Sequence, residues 1–379
     1  MDQAFIPYGR QHIDEEDIAA VVEVLRSDWL TTGPAVERFE EAVAATVGVP
    51  HGVALCNGTA ALHATMFAMG VGPGDEVIVP PMTFAATANA VLYQGARPVF
   101  ADVHPDTLLL DAEAVENRIT DRTRAIIAVD YAGQPCDYDA LRATADRHGL
   151  KLVADACHSL GAAWRGRPCG ALADATVFSF HPVKPVTTGE GGMVVTSDAH
   201  LAQRLRTFRN HGIASDHRQR AATGDWHYQM LHLGFNYRLT DIQAALGLAQ
   251  LTKLPRFIGL RRGLAERYNA AFNDHGRIRP LACRHEAEHG YHLYVVRVPQ
   301  RDRVFQSLRQ SGIGANVHYV PVHFHPYYRQ HLGTGEGLCP TAEAAYQEIL
   351  SLPIFPDLKT ADQERVINAL NAADTEESL

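Results

Sequence analysis

The sequence predicts an α/β protein, with a mostly parallel sheet covered by helices over residues 1–250 and a smaller α+β unit over residues 251–379. Three observations predict it. From about residue 53, short apolar runs alternate with stretches of helical period. The runs are apolar at successive positions, as strands buried on both faces must be. Past a helical stretch ending near Asn273 the alternation stops, and one strand pattern is followed by several helical ones. At roughly 150 residues per unit, a chain of 379 residues is long enough for two or three.

Each element has its own signal. Asp14 precedes a helical pattern in which Ile18, Val21, Val22 and Leu25 share one face, and Pro34 opens another with Val36, Phe39 and Val43 before Gly48. VALC (53–56) runs into NGTAALHATMFAMG, EVIVP (76–80) into TFAATANAVLYQG, RPVFADV (97–103) into DAEAVENRI, and RAIIAV (124–129) into DYDALRATADRHG. KLVADAC (151–157), ATVFSF (175–180) and GGMVVTS (191–197) continue the strands before AHLAQRLRTFRNHG. A helical stretch from Thr240 to Asn273, interrupted at Pro255, leads to YHLYVVRV (291–298), RDRVFQSLRQSG, ANVHYV and two terminal helices near 341–350 and 361–373.

Lys and Arg number 34 against 43 Asp and Glu, a formal charge of −9 with no long basic run. Nucleic acid and membrane are therefore not expected as partners, although a local basic pocket for a phosphorylated ligand is compatible with this balance. The six Cys (56, 136, 157, 169, 283, 339) are scattered without a CxxC, which points to reduced thiols in a cytoplasm. No apolar stretch of about 18 residues occurs, and the first residues lack the cationic and apolar regions of a leader, so a cytoplasmic, unprocessed protein is expected.

Some motifs mislead. His285-Glu286-Ala287-Glu288-His289 matches H-E-x-x-H, but Pro280 and Gly290 leave no helix long enough to align the two His, so no metal is expected. Asn57-Gly58-Thr59 is a glycosylation sequon without a secretory signal. No G-x-G-x-x-G follows the first strand, and there is no G-x-x-x-x-G-K-[ST], which removes the main support for dinucleotide and nucleoside triphosphate readings.

In an open α/β sheet, ligands sit beyond the carboxyl ends of the strands. Three such places stand out. Asn57-Gly58-Thr59 ends a strand and opens a helix, where free N–H groups and the positive dipole end suit a phosphate. Asp155 ends an apolar strand, where a carboxylate is costly unless it meets a cation. Lys184 follows the next strand in Ser179-Phe180-His181-Pro182-Val183-Lys184, just before Gly189-Glu190-Gly191-Gly192. Each has an ordinary reading too: a helix cap, an Asx turn and a solvated surface charge. Together, a phosphate seat, an acid able to hold a pyridinium N–H and an amine able to form a Schiff base are the handles of pyridoxal 5'-phosphate (PLP).

These residues carry a resemblance. From Leu30-Thr31-Thr32-Gly33-Pro34 through Asn57-Gly58-Thr59-Ala60-Ala61-Leu62, Pro80-Pro81-Met82-Thr83-Phe84, Asp155-Ala156-Cys157-His158, the Lys184 segment and Gly234-Phe235-Asn236-Tyr237-Arg238 to His318-Tyr319, the chain resembles the DegT/DnrJ/EryC1/StrS sugar aminotransferases. The resemblance implies the fold-type I (aspartate aminotransferase-like) architecture of PLP enzymes. It makes Lys184 the Schiff-base lysine and Asp155 the partner of the pyridine nitrogen, the two catalytic residues. Gly58, Thr59 and Ser179 would hold the phosphate, Phe84 would stack on the ring, and His158 would lie near the cofactor hydroxyl. Asn236 would reach the phosphate of the other subunit of a homodimer with shared active sites. Thr31, Thr32, His181, His318 and Tyr319 would lie toward a nucleotide sugar.

Related sugar dehydratases carry His at the lysine position, so the Lys184 kept here implies an aminotransferase. Segment 181–192 is most similar to the enzymes of pseudaminic acid synthesis, implying L-glutamate as amino donor and a UDP-linked 4-keto-6-deoxy-N-acetylhexosamine as acceptor. The alternatives are a UDP-4-keto-pentose, a dTDP-keto-deoxysugar, or a PLP-binding regulator without catalysis. Both Lys184 and Asp155 are present and no basic DNA-binding element is evident, which argues against the last. A diphosphate in a protein of charge −9 needs local cations, and Arg209, His211, Arg218 and Arg238 are the candidates. The polar run from about 210 to 228 is expected to be a loop closing over the nucleotide.

Overall fold

The structure, a computed structural model, describes residues 4–215, 218, 220, 224 and 226–375. Residues 216, 217, 219, 221–223 and 225 of the expected nucleotide loop lie outside the described residues. Helices α1 (Glu15–Leu25) and α2 (Pro34–Val47) precede β1 (His51–Leu55), α3 (Gly58–Ala68), β2 (Glu76–Val79), α4 (Ala86–Tyr93) and β3 (Arg97–Phe100). Next come α5 (Ala112–Glu116), β4 (Thr123–Val129), α6 (Tyr138–His148), β5 (Lys151–Asp155), the short β6 (Ala163–Trp164) and β7 (Arg167–Pro168), β8 (Ala175–Ser179), β9 (Gly192–Thr196) and α7 (Ala199–Phe208).

The main sheet has the order β1-β9-β8-β5-β4-β2-β3. It is parallel from β8 to β3, while β9 runs antiparallel to both of its neighbours. Its strands are apolar on both sides because helices cover both faces: Ile126, Ile127, Val153 and Val177 are each 0% exposed. Each such side chain contributes about 1.5–3 kcal/mol on burial. The turn that brings β9 back beside β8 places residues 180–191, and Lys184 with them, at the carboxyl end of β8.

Beyond the sheet, α8 (Asp241–Thr252) and α9 (Leu254–Phe272) meet at Pro255, which occupies the first turn of α9, where its missing N–H costs nothing. Then follow β10 (Arg279–Pro280), β11 (Ala287–Glu288), β12 (Tyr294–Arg297), α10 (Arg301–Gln310), α11 (Pro326–Leu332), α12 (Pro340–Glu348), β13 (Ile349–Leu352) and α13 (Thr360–Thr375). Strands β10, β12 and β13 form an antiparallel sheet over a second hydrophobic cluster that includes Tyr268, Phe272, Val296 and Leu350.

Two details depart from the sequence pattern. On α1, Ile18 and Leu25 are 46% and 54% exposed, whereas Asp17 is fully buried. Polar pairing overrides the apolar stripe here. Lys253 Nζ lies 3.0 Å from Asp17 Oδ1, and Gln250 Nε2 donates to Oδ2 at 2.8 Å. Asp17 also closes a capping box with Asp14. Within 285–289, Ala287 and Glu288 form β11, paired with β6. The His285 side chain is 91% exposed, while His289 is buried and stacked on Tyr291 at 3.9 Å. The two His therefore do not share a helix face.

Candidate active site

Gly192, the first residue of β9, pairs with Leu55 of β1 and with Ser179 of β8. The carboxyl ends of those two strands therefore flank it. A Cβ on Gly192 would lie 2.3 Å from the Asn57 carbonyl oxygen, so only glycine lets the backbones approach this closely. At the start of α3, Asn57 Oδ1 accepts the Ala60 N–H at 2.8 Å. The cap is thus Asn57, and it leaves the N–H groups of Gly58 and Thr59 aimed outward from the first turn. A Cβ on Gly58 would meet Ser179 Cβ at 3.1 Å and Oγ at 3.3 Å.

These residues open onto a cavity of about 630 Å³. Of the site residues the sequence suggests, Gly58, Thr59, Phe84, Asp155, His158, Ser179, His181, Lys184, His318 and Tyr319 line it. Thr31, Thr32, Arg209, His211, Arg218, Asn236 and Arg238 do not. Thr32, Arg209 and Arg238 line a separate cavity of about 90 Å³. Arg209 is held there by Glu40 and the Ala54 carbonyl, and Arg238 Nη1 donates to Asn210 Oδ1 at 2.8 Å. Thr31 bridges to Thr240 and Asn236 to Asn210, while the His211 N–H donates to Phe235 O at 2.9 Å. Arg218 lies 3.5 Å from Glu37.

Inside the cavity Asp155 is 5% exposed and accepts Thr87 Oγ1 at 2.7 Å and the Cys157 N–H at 3.3 Å. The second contact is an Asx turn, the ordinary reading of Asp155. Tyr319 Oη and His158 Nε2 are 3.1 Å apart, and His318 Nδ1 lies 2.8 Å from Ser351 Oγ. Burial pushes the Lys184 ammonium below its ordinary range, with Asp155 and Cys157 pulling the other way and Arg261 adding to the fall. Burial and then Lys184 hold His158 and His318 down, His318 to about 4. The imidazoles are therefore neutral at pH 7, and burial makes the Lys184 amine less basic than a solvated lysine.

Tyr8, Thr83, Thr87, Glu190, His292 and Asn316 also line the cavity and were not singled out in the sequence. His292 had a signal, an imidazole opening a strand pattern.

The cavity suits PLP on several counts. Phe84 is 62% exposed at its wall, an apolar ring with room for a flat partner. His158 Nδ1 and His292 Nδ1 are buried without a hydrogen-bond partner among the described residues. The α3 N-terminus and Ser179 form a cradle that a Cβ at Gly58 would crowd. A buried carboxylate and an amine of depressed basicity complete the donor set.

A mainly parallel sheet that delivers a lysine, a carboxylate and a helix N-terminus to one end of its strands defines a PLP-dependent aminotransferase of fold type I. The model of the DegT/DnrJ/EryC1/StrS aminotransferase family matches residues 11–371, and the chain belongs to that family. It is 40% identical over 375 residues to the spore coat polysaccharide biosynthesis protein SpsC of Bacillus subtilis, covering 97% of this chain and 96% of that one. The PLP form of Spr1654 from Streptococcus pneumoniae superposes with a TM-score of 0.93 at 33% identity, over 99% of this chain and 100% of that one. Helicobacter pylori PseC, an aminotransferase involved in the biosynthesis of pseudoaminic acid, gives 0.92 at 33% identity over the same shares. The protein is a sugar aminotransferase with PLP as its cofactor. Among the described residues no helix is long and apolar enough to cross a membrane.

Proposed function

We propose that this enzyme transfers the amino group of L-glutamate to C4 of a UDP-linked 4-keto-6-deoxy-N-acetylhexosamine, a step of pseudaminic acid synthesis in the cytoplasm. The observation that carries the aminotransferase chemistry is the convergence of Lys184, Asp155 and the α3 N-terminus on one cavity. The acceptor rests on the likeness to PseC over the whole chain. When bound, PLP supplies a carbonyl that condenses with amines and a ring that takes up electrons as the adjacent carbon loses its proton.

The chain's own residues do the rest. Asp155, oriented by Thr87, would hold a proton on the ring nitrogen. Backbone N–H groups of Gly58 and Thr59 and the Ser179 hydroxyl would donate to the phosphate. Phe84 would cover one ring face, and His158, which contacts Tyr319, would face the ring hydroxyl. Lys184 Nζ would anchor the cofactor and, as a free amine, would be the base that accepts and returns a proton within the site. Among the described residues of a single chain no Arg lines the cavity, while two carboxylates of the donor and a diphosphate of the acceptor must be accommodated. That supports a homodimer in which Asn236 and the neighbouring cations complete the partner's site.

A second reading has its own support. The higher identity to SpsC favours an amino sugar destined for another surface polysaccharide. Purified enzyme, glutamate and a panel of UDP- and dTDP-linked 4-keto sugars separate the two. Amination of the UDP-4-keto-6-deoxy-N-acetylhexosamine with the highest kcat/KM is expected. Equal or better use of a UDP-4-keto-pentose or a dTDP sugar rejects that acceptor and leaves the aminotransferase in place.

A further inference from the structure

We propose that His292 is a positioning residue of the reaction, holding the Lys184 amine at one place in the cavity whenever that amine is not attached to the cofactor. The inference rests on Lys184 being the attachment residue proposed above. His292 Nε2 lies 3.5 Å from Lys184 Nζ. Asp155 and Cys157 act on that amine only through space, so among the described residues the imidazole is the side chain close enough to direct it.

The placement of His292 is itself enforced from behind. Arg261 of α9 is 1% exposed, and its Nη1 donates to the carbonyls of Tyr291 at 3.1 Å, His292 at 3.3 Å and Ile354 at 3.0 Å. A guanidinium buried against carbonyls ties the backbone down harder than apolar packing does, because any shift would strand a charge. The chain is pinned on either side as well, by Gly290 N–H to Gly133 O at 2.8 Å and Leu293 N–H to Ala132 O at 3.1 Å. The His158 ring lies 4.4 Å from the imidazole and fixes its tilt.

This arrangement answers a specific need. A released lysine has four flexible methylenes and would wander, whereas proton transfer requires the amine within hydrogen-bond reach of the reacting carbon. Burial first, then the charge on Lys184, hold His292 well below its ordinary range, so the ring is neutral. With its proton on Nδ1, the neutral ring offers Nε2 as acceptor for an N–H of Lys184.

Two amide variants separate positioning from structure. In His292→Gln the side-chain amide takes the place of Nε2; in His292→Asn it takes the place of Nδ1 and falls short of Lys184. The donor half-reaction of the PLP-loaded enzyme is followed in single turnovers with glutamate. A second readout needs no turnover: the rate at which stripped protein takes PLP into covalent attachment, seen as growth of the visible band. His292→Gln is expected to stay within about 3-fold of the parent, while His292→Asn loses about 10-fold or more in both rates with the half-saturating glutamate concentration unchanged. Equal rates in the two variants overturn the proposal. So does a loss confined to half-saturation, or failure of both variants to fold or hold cofactor, since His292 would then be structural. A visible band that survives Lys184→Ala would instead overturn the attachment role of Lys184, a failure seen separately.

Discussion

Thr87 Oγ1 donates to Asp155 Oδ2 at 2.7 Å, and because that proton is committed, the Thr83 hydroxyl 2.7 Å away must donate to Thr87 in turn. The chain Thr83–Thr87–Asp155 links α4 and the segment before it to the end of β5. A hydrogen bond to a charged group is worth about 1.5–3 kcal/mol. Thr87→Val keeps the shape and removes the donor, so kcat is expected to fall about 10-fold or more, with Thr87→Ser close to the parent. Steady-state kinetics at saturating PLP checks it, and an unaltered Thr87→Val would leave the hydroxyl no role.

Lys184→Ala is expected to abolish the visible band that borohydride fixes to the protein, and to lower turnover by at least about 10²-fold. Asp155→Asn should retain PLP yet lose rate on the same scale, because a neutral amide does not stabilise a protonated ring nitrogen. Absorbance before and after reduction, with peptide mapping of the adduct, tests both.

Gly58→Ala adds a methyl 3.1 Å from Ser179 Cβ. Crowding of this kind costs about 1–3 kcal/mol, so the Kd for PLP, measured by fluorescence quenching, is expected to rise about 5- to 150-fold. Full affinity would mean the phosphate is held elsewhere.

Asp130 is fully buried beneath the site, accepting Ser159 Oγ at 2.5 Å, Tyr138 Oη at 2.8 Å and the Cys136 N–H at 3.0 Å. Burial nevertheless pushes its carboxyl up to about 6. A carboxyl raised on folding binds its proton more tightly in the native state, so its contribution to stability falls as pH rises from about 4 to about 6 and stays low above that. Buried histidines such as His63 and His318, held down to about 4 chiefly by burial, slope the other way over the same range. The difference between Asp130→Asn and the parent isolates the carboxyl. Urea unfolding should show the variant gaining on the parent as pH rises through that window, by an amount on the order of 2–3 kcal/mol. A difference that does not change with pH would sink the assignment.

Mixing inactive Lys184→Ala subunits with inactive Asn236→Ala subunits should restore part of the activity, since one site of each hybrid then has both groups intact. Absence of rescue despite demonstrated subunit exchange counts against shared sites.

The sheet was legible in the sequence because strands buried on both faces write continuous apolar runs, and the ends of those runs pointed to Asn57, Asp155 and Lys184. Less visible were groups placed by contacts remote in sequence. Thr87 matters through a residue 68 positions away and His292 through one 108 positions away. The pairing of Asp17 is equally hidden, because its cation, Lys253, belongs to the junction of α8 and α9. Arg209 looked like a free cation for a diphosphate, and nothing local to it announced that Glu40 of α2 holds it.

Helix α9 sets Leu254 and Ile258 in the first hydrophobic cluster and Leu264, Tyr268 and Phe272 in the second. At about 1.5 Å per residue it is a rod of roughly 28 Å, and Arg261 sits at its fulcrum. Rocking of the C-terminal layer would act on this rod as on a lever, moving the carbonyls of Tyr291 and His292 that Arg261 grips. Heat should likewise melt both clusters in one calorimetric event rather than two, because neither can let go of the rod alone.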